Sequence, residues 1–170
     1  MRATPRYGTT GAHLNSAVGR STTIEATQPS TDAAFYRSSQ MMAGIIRTDW
    51  GRFVGIHGRY NPSIGATVCR FGVASGATCQ VVIDLNRCAV GACGLVWTDR
   101  SVTVGGDSGG PWFYGTYALG IHKGWLDEKQ YWYSTSTRKG EVFTPIGTVL
   151  SLTGTVLCYD EAPDPNCVAR

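Results

Sequence analysis

Short apolar or alternating stretches separated by turn signals recur along this chain, and that punctuation constrains its fold more than any other feature. They are Ala33 to Tyr36, Arg52 to Ile56, Ala66 to Phe71, Thr78 to Ile83, Gly94 to Thr98, Pro111 to Phe113, Leu119 to His122 and Gln130 to Ser134. Glycines, prolines and Ser/Thr/Asn clusters divide them, and such regular short strands predict an all-β barrel or sandwich. Two places read differently. Gln40 to Ile46 fits a helix or a strand. Pro145 to Leu152 sets Ile146, Val149, Leu150 and Thr153 three or four apart behind a proline and stops at Gly154, so one short C-terminal helix is predicted.

At 170 residues and 42% hydrophobic, the chain can bury a core as one domain or as two small halves packed together. Its net charge of +3 comes from 15 Lys plus Arg against 12 Asp plus Glu, with no basic run. That balance leaves no footprint for a nucleic acid or an anionic membrane, and no apolar run approaches a membrane span. The six cysteines sit at short spacings, Cys69 with Cys79, Cys88 with Cys93 and Cys158 with Cys167, and form no C-x-x-C pair. They read as disulfides rather than a metal site, which implies an oxidising, extracellular setting and no metal. The N-terminal MRATPRYGTT carries no apolar export segment. The expectation is therefore a piece of a longer precursor, or a gene model begun at an internal methionine. The tail from Tyr159, polar and rich in proline, reads as a surface loop tied back by Cys158 and Cys167.

One stretch carries chemistry: GGDSGGPW, Gly105 to Trp112, which sets Ser108 between an acid and two glycines. Gly106 to Gly110 also fits the G-x-S-x-G turn of α/β-hydrolases. That turn needs a helix straight after the serine, and Gly109-Gly110-Pro111 is a poor helix start; it also needs an acid and a histidine downstream, where only His122 follows. The order that fits is histidine, aspartate, serine, because a hydroxyl is a weak nucleophile unless an imidazole takes its proton and a carboxylate orients that imidazole. His13 and Asp32 lie upstream in that order, and His57 with Asp84 forms a poorer pair. Each has a plainer reading. The glycine-rich stretch could be only a tight turn, His13 an exposed loop residue, Asp32 a turn or cap residue, and His57 a strand-face residue. Trp125, Tyr131, Trp132 and Tyr133 read as barrel wall and rim, with a carbohydrate-binding surface as a weaker option.

In these motifs the chain resembles the chymotrypsin-like serine endopeptidases, and within them the secreted bacterial branch of streptogrisins and α-lytic-type proteases. Gly106 to Pro111 is that family's nucleophile motif. Thr9 to Leu14 is similar to its T-A-[AG]-H-C and Ser30 to Phe35 to its D-[IRA]-A-[WF]. Thr67 to Gly72, then Ser75-Gly76 and Cys79, resembles the V-C-R-x-G-x-x-T-G-x-x-C hairpin of the bacterial branch. Ala118 to Gly124 is similar to the substrate-binding strand, and Val142 to Ile146 to the strand leading into the last helix. The resemblance implies Ser108 as nucleophile, His13 as general base then acid, Asp32 as its orienting acid, and the N–H groups of Gly106 and Ser108 as the oxyanion hole. It also implies that Arg70 pairs with a buried Asp107, and that Val102, Lys123, Gly124, Trp125 and Glu141 line the substrate pocket. Protein or peptide substrates, no cofactor and a monomer follow from the same resemblance.

The implied architecture is two antiparallel trypsin-like β-barrels: an incomplete N-terminal one in residues 1–64 carrying the histidine and aspartate, and a C-terminal one in residues 65–157 carrying the serine. Residues 158–170 form the disulfide-tied tail. Three departures stand out. Leu14 follows the histidine where the family has a bonded cysteine, and Val102 replaces a pocket cysteine. With twelve residues before His13, the first barrel is expected to lack roughly 15 to 30 residues of strand and loop. The pocket residues point in different directions: Glu141 would favour a basic side chain, His122 and Lys123 an acidic one, Val102 an apolar one. A catalytically inactive, protease-like binding protein or a truncated fragment is the alternative.

Overall fold

A computed structural model describes residues 23–28, 33–37, 44–89, 92–129, 137–153 and 157. Among these residues the order begins with two antiparallel hairpins, β1 (Thr23–Gln28) with β2 (Ala33–Arg37) and β3 (Ile45–Asp49) with β4 (Arg52–Gly55). The β3–β4 turn runs through Trp50 and Gly51, whose φ of +69° suits glycine. Ile45–Asp49 settles the ambiguous stretch ending at Ile46 as strand where it is described, because β4 supplies a hairpin partner. Gln130 to Ser134 lies outside the described residues.

A seven-stranded sheet follows, built from β5 (Gly58–Arg59), β6 (Thr67–Gly72), β7 (Gly76–Ala89), β8 (Ala92–Thr98), β9 (Pro111–Tyr114), β10 (Tyr117–Lys129) and β11 (Thr137–Pro145). Its order is β11-β8-β7-β6-β9-β10-β5, and β10 also pairs with β11, so six strands close on themselves. Helix α1 (Ile146–Thr153) follows β11 directly, and its Ile146 and Val149 pack with Ile56 and Ala118. Among the described residues the fold is thus all-β with one short helix. Disulfides Cys69–Cys79 and Cys88–Cys93 link β6 to β7 and β7 to β8; Cys158 and Cys167 lie outside the described residues.

The closed strands have a layered interior. Val68, Val82, Val96, Trp112, Leu119 and Phe143, one from each of β6 to β11, form a buried apolar layer, with Trp112 stacked on Phe143 at 4.6 Å. Each such side chain contributes about 1.5–3 kcal/mol through burial. Successive side chains on a strand alternate faces, so residues two positions away share the interior. Those residues are Arg70, Gln80, Thr98 and Glu141, all buried and all polar. The barrel therefore has a charged layer beside its greasy one, and that layer meets the loop that carries Ser108.

Candidate active site

Residues 99–110 form the connection between β8 and β9, and the glycines in it set its path. Gly106 has φ +109° and Gly109 φ +84°, values that side-chain-bearing residues rarely adopt, so the turn on either side of Asp107-Ser108 needs glycine. Asp107 is turned inward and fully buried. Its Oδ1 accepts from the backbone N–H of Ala74 (2.9 Å) and Ser75 (3.0 Å), and its Oδ2 from Val104 N–H (3.0 Å) and the Thr103 hydroxyl (3.2 Å). Burial alone would raise its pKa; the hydrogen bonds from the Ser75 side chain and from the Val104, Ala74 and Ser75 backbones outweigh that and bring it down to about 2.

Arg70 Nη1 lies 3.5 Å from Asp107 Oδ2, both side chains fully buried. The guanidinium is shared: Nε donates to Glu141 Oε2, and Nη2 donates to Glu141 Oε1 at 3.1 Å. Glu141 Oε1 also accepts from Val102 N–H at 2.9 Å. One arginine thus holds two carboxylates, one from β11 and one from the serine loop. The geometry requires Gly72. A Cβ there would fall 2.5 Å from Arg70 Nη1 and closer still to the Asp107 carboxyl, so any side chain would wedge the pair apart.

His122 is buried in the same layer. Its Nδ1 accepts from Trp112 Nε1–H at 3.2 Å, its Nε2 lies 2.9 Å from Thr103 Oγ1, and Glu141 Oε2 stands 3.9 Å from Nδ1. Burial is the main cause that lowers its pKa, to about 4; Arg70 adds to the fall, and Glu141 and Asp107 oppose it. Its backbone is equally engaged. Gly109 N–H donates to His122 O at 2.7 Å and His122 N–H to Gly110 O at 2.8 Å, which lays the serine loop along the edge of β10. Ser108, half-buried, points its hydroxyl at Lys123 O, 3.3 Å away. Past Lys123, β10 pairs with β11 on one side, and among the described residues no strand pairs with the other side.

The structure brings together Ser108, Gly106, Asp107, Arg70, Glu141, Val102, Lys123 and Gly124. Val102 and Trp125 are exposed at 48% and 53%, whereas Glu141 is fully buried. His13 and Asp32 lie outside the described residues. The other upstream pair does not meet: His57 is exposed beside β5, and Asp84 sits on β7 paired with Arg87 at 3.3 Å. Three participants escaped sequence reasoning. Thr103 gives no signal in sequence; Gly72 was visible in the hairpin motif without its steric reason; the Glu141 link to Arg70 follows only from both facing inward. Among the described residues no group of three or more His, Cys, Asp or Glu is placed to hold a metal, and no helix is long and apolar enough to cross a membrane.

No family model matches the sequence, and no curated protein matches it. Solved structures do. Thermobifida fusca Protease A is 27% identical, over 81% of this chain and 74% of that chain, with a TM-score of 0.67. Cellulomonas bogoriensis chymotrypsin is 23% identical, over 81% of this chain and 76% of that chain, with a TM-score of 0.66. A glutamic acid specific serine protease that uses a histidine triad in substrate binding is 26% identical, over 71% of this chain and 63% of that chain, with a TM-score of 0.57. The likenesses at 27% and 26% identity support a protease function, and that at 23% shows the fold. The chain takes the fold of the bacterial chymotrypsin-like serine proteases, the family its motifs resemble.

Proposed function

We propose that this chain is a secreted serine endopeptidase that hydrolyses protein or peptide substrates through an acyl-enzyme, as a monomer without metal or cofactor. In this reading Ser108 Oγ attacks the scissile carbonyl while the His13 imidazole takes its proton and later gives it to the leaving amine. Asp32 orients that imidazole, and the oxygen's developing charge is met by the N–H groups of Gly106 and Ser108. Residues 1–64 then supply the base, residues 65–157 the nucleophile, and 158–170 a tail. The substrate backbone lies along the β10 edge past Lys123, which no strand among the described residues pairs with, and its side chain enters between Val102, Lys123, Gly124 and Trp125. Glu141, bound to Arg70 and to Val102 N–H, has no charge to offer a cationic side chain and acts beneath the pocket instead.

The observation that carries this reading is the buried Arg70–Asp107–Glu141 cluster directly under Ser108. Burying charges costs several kcal/mol per ion unless they are paired, so their retention beside one serine indicates that its position matters. A fluorophosphonate probe should label the wild-type chain and leave Ser108→Ala unlabelled. Equal labelling of both, or none of either, removes the nucleophile; peptide binding without turnover, undiminished by His13→Ala, would establish the binding-protein alternative.

A further inference from the structure

The buried imidazole of His122 has no part in the proposed chemistry, yet every polar atom it owns is engaged around the serine loop. The direction of those bonds is determined by the groups at the two ends. An indole N–H can only donate, so Trp112 Nε1–H fixes His122 Nδ1 as an acceptor. An ionised carboxylate can only accept, so the Thr103 hydroxyl spends its single hydrogen on Asp107 Oδ2. Thr103 Oγ1 then has lone pairs left to accept a hydrogen bond from His122 Nε2–H, 2.9 Å away. Only one state of the ring satisfies all three contacts: neutral, with its proton on Nε2.

We propose that His122 is a positioning residue, a neutral imidazole that acts through Thr103 to fix the Asp107 carboxylate and so the orientation of Ser108 and the N–H groups beside it. This role rests on the protease reading for its consequence, but not for its geometry. The backbone of the same residue holds Gly109 and Gly110, so one position on β10 secures the loop at three points. The charged groups around the ring are Glu141 from β11, Arg70 from β6 and Asp107 from the loop; Lys123 is the next residue on its own strand, and β9 presents Trp112, which does not titrate. A second proton on Nδ1 would face the Trp112 donor and abolish that bond.

Two measurements test the proposal. Long-range ¹H–¹⁵N correlation of histidine-labelled protein at neutral pH should show His122 as the Nε2–H tautomer, identified among the three histidines by its absence in His122→Gln. A charged ring or the Nδ1–H tautomer overturns the relay whether or not the chain is an enzyme. Thr103→Val keeps the shape and removes the hydroxyl. It should slow acylation of Ser108 by a fluorophosphonate about tenfold to a hundredfold, and Thr103→Ser should restore the rate to within about threefold. Wild-type acylation in Thr103→Val, or failure of Thr103→Ser to rescue, refutes the positioning role. A wild-type chain inert to the probe defeats the protease reading, and the tautomer still decides the relay.

Discussion

Gly72→Ala adds one methyl group at the point where the structure has least room for it. The φ of Gly72 lies outside the left-handed region, so alanine suits its backbone and the change isolates sterics. The new Cβ would fall 2.5 Å from Arg70 Nη1 and against the Asp107 carboxyl, neither of which is a free end able to swing aside. Arg70 is held by Glu141, and Asp107 by hydrogen bonds from Ala74, Ser75, Thr103 and Val104. Overpacking costs about 1–3 kcal/mol, and breaking one partner from a buried ion pair about 3–5 kcal/mol. Because each ion keeps other partners, the cost lies where the two ranges meet, at about 3 kcal/mol, a large share of the ~5–15 kcal/mol that holds a domain. Urea unfolding measures it: with a slope of about 2 kcal/mol/M the midpoint should fall by about 1.5 M. Acylation of Ser108 should slow by at least about tenfold, since the loop shifts with its anchor. Gly105→Ala is the control, with nothing within 4 Å of its Cβ and no positive φ, and should stay within about 0.5 kcal/mol. A Gly72→Ala chain as stable as that control would refute the idea that Arg70 and Asp107 are held in contact.

Two further outcomes follow from the same layer. Glu141→Gln places an amide donor against Arg70 or Val102 N–H; about 2 kcal/mol of stability should be lost in urea unfolding, less than for an isolated pair because Arg70 keeps Asp107. Acid should destabilise the chain in two steps. The folded-state pKa of His122 is depressed from 6.5 to about 4, so the unfolded state takes up its proton first and about 3 kcal/mol is lost between pH 6.5 and 4; that of Asp107 is depressed from 3.8 to about 2, and its contribution goes between those values. Stability measured against pH should lose the upper step in His122→Gln and keep the lower one.

The strands were legible where alternation ran unbroken and obscure where the backbone departs from it. Thr78 to Ile83 reads as strand, yet β7 continues to Ala89 through register shifts at Asp84 and Arg87 and a left-handed Asn86 with φ 62°. Each irregularity resets which side faces inward, so the pattern of two dissolves although the strand does not. β10 is likewise longer than Leu119 to His122, with shifts between Ala118 and Gly120 and between His122 and Gly124. Strand β3 was ambiguous because its partner β4, rather than its own composition, makes it a strand. Helix α1 needed no partner to be seen: its apolar spacing and the preceding proline sufficed.

The site divides in the same way. The loop around Ser108 was readable because its demands are local: two positive-φ positions that suit glycine flank the acid and the serine in sequence. What lies beneath it was not. Read alone, Glu141 is a carboxylate free to attract a cation, and its sign suggests a specificity. Placed two residues before Phe143 on an inward face, it meets Arg70, two residues after Val68 on another, and that charge is consumed inside the protein. His122 reverses its sense for the same reason, since a ring that reads as a candidate for an acidic ligand has Trp112 on one nitrogen and Thr103 on the other. Charge in a sequence therefore says which partners a residue could have, and strand parity says which it does have. In this barrel the polar layer takes its partners from itself and from the serine loop, and Val102 and Trp125 are the residues beside it that stay exposed.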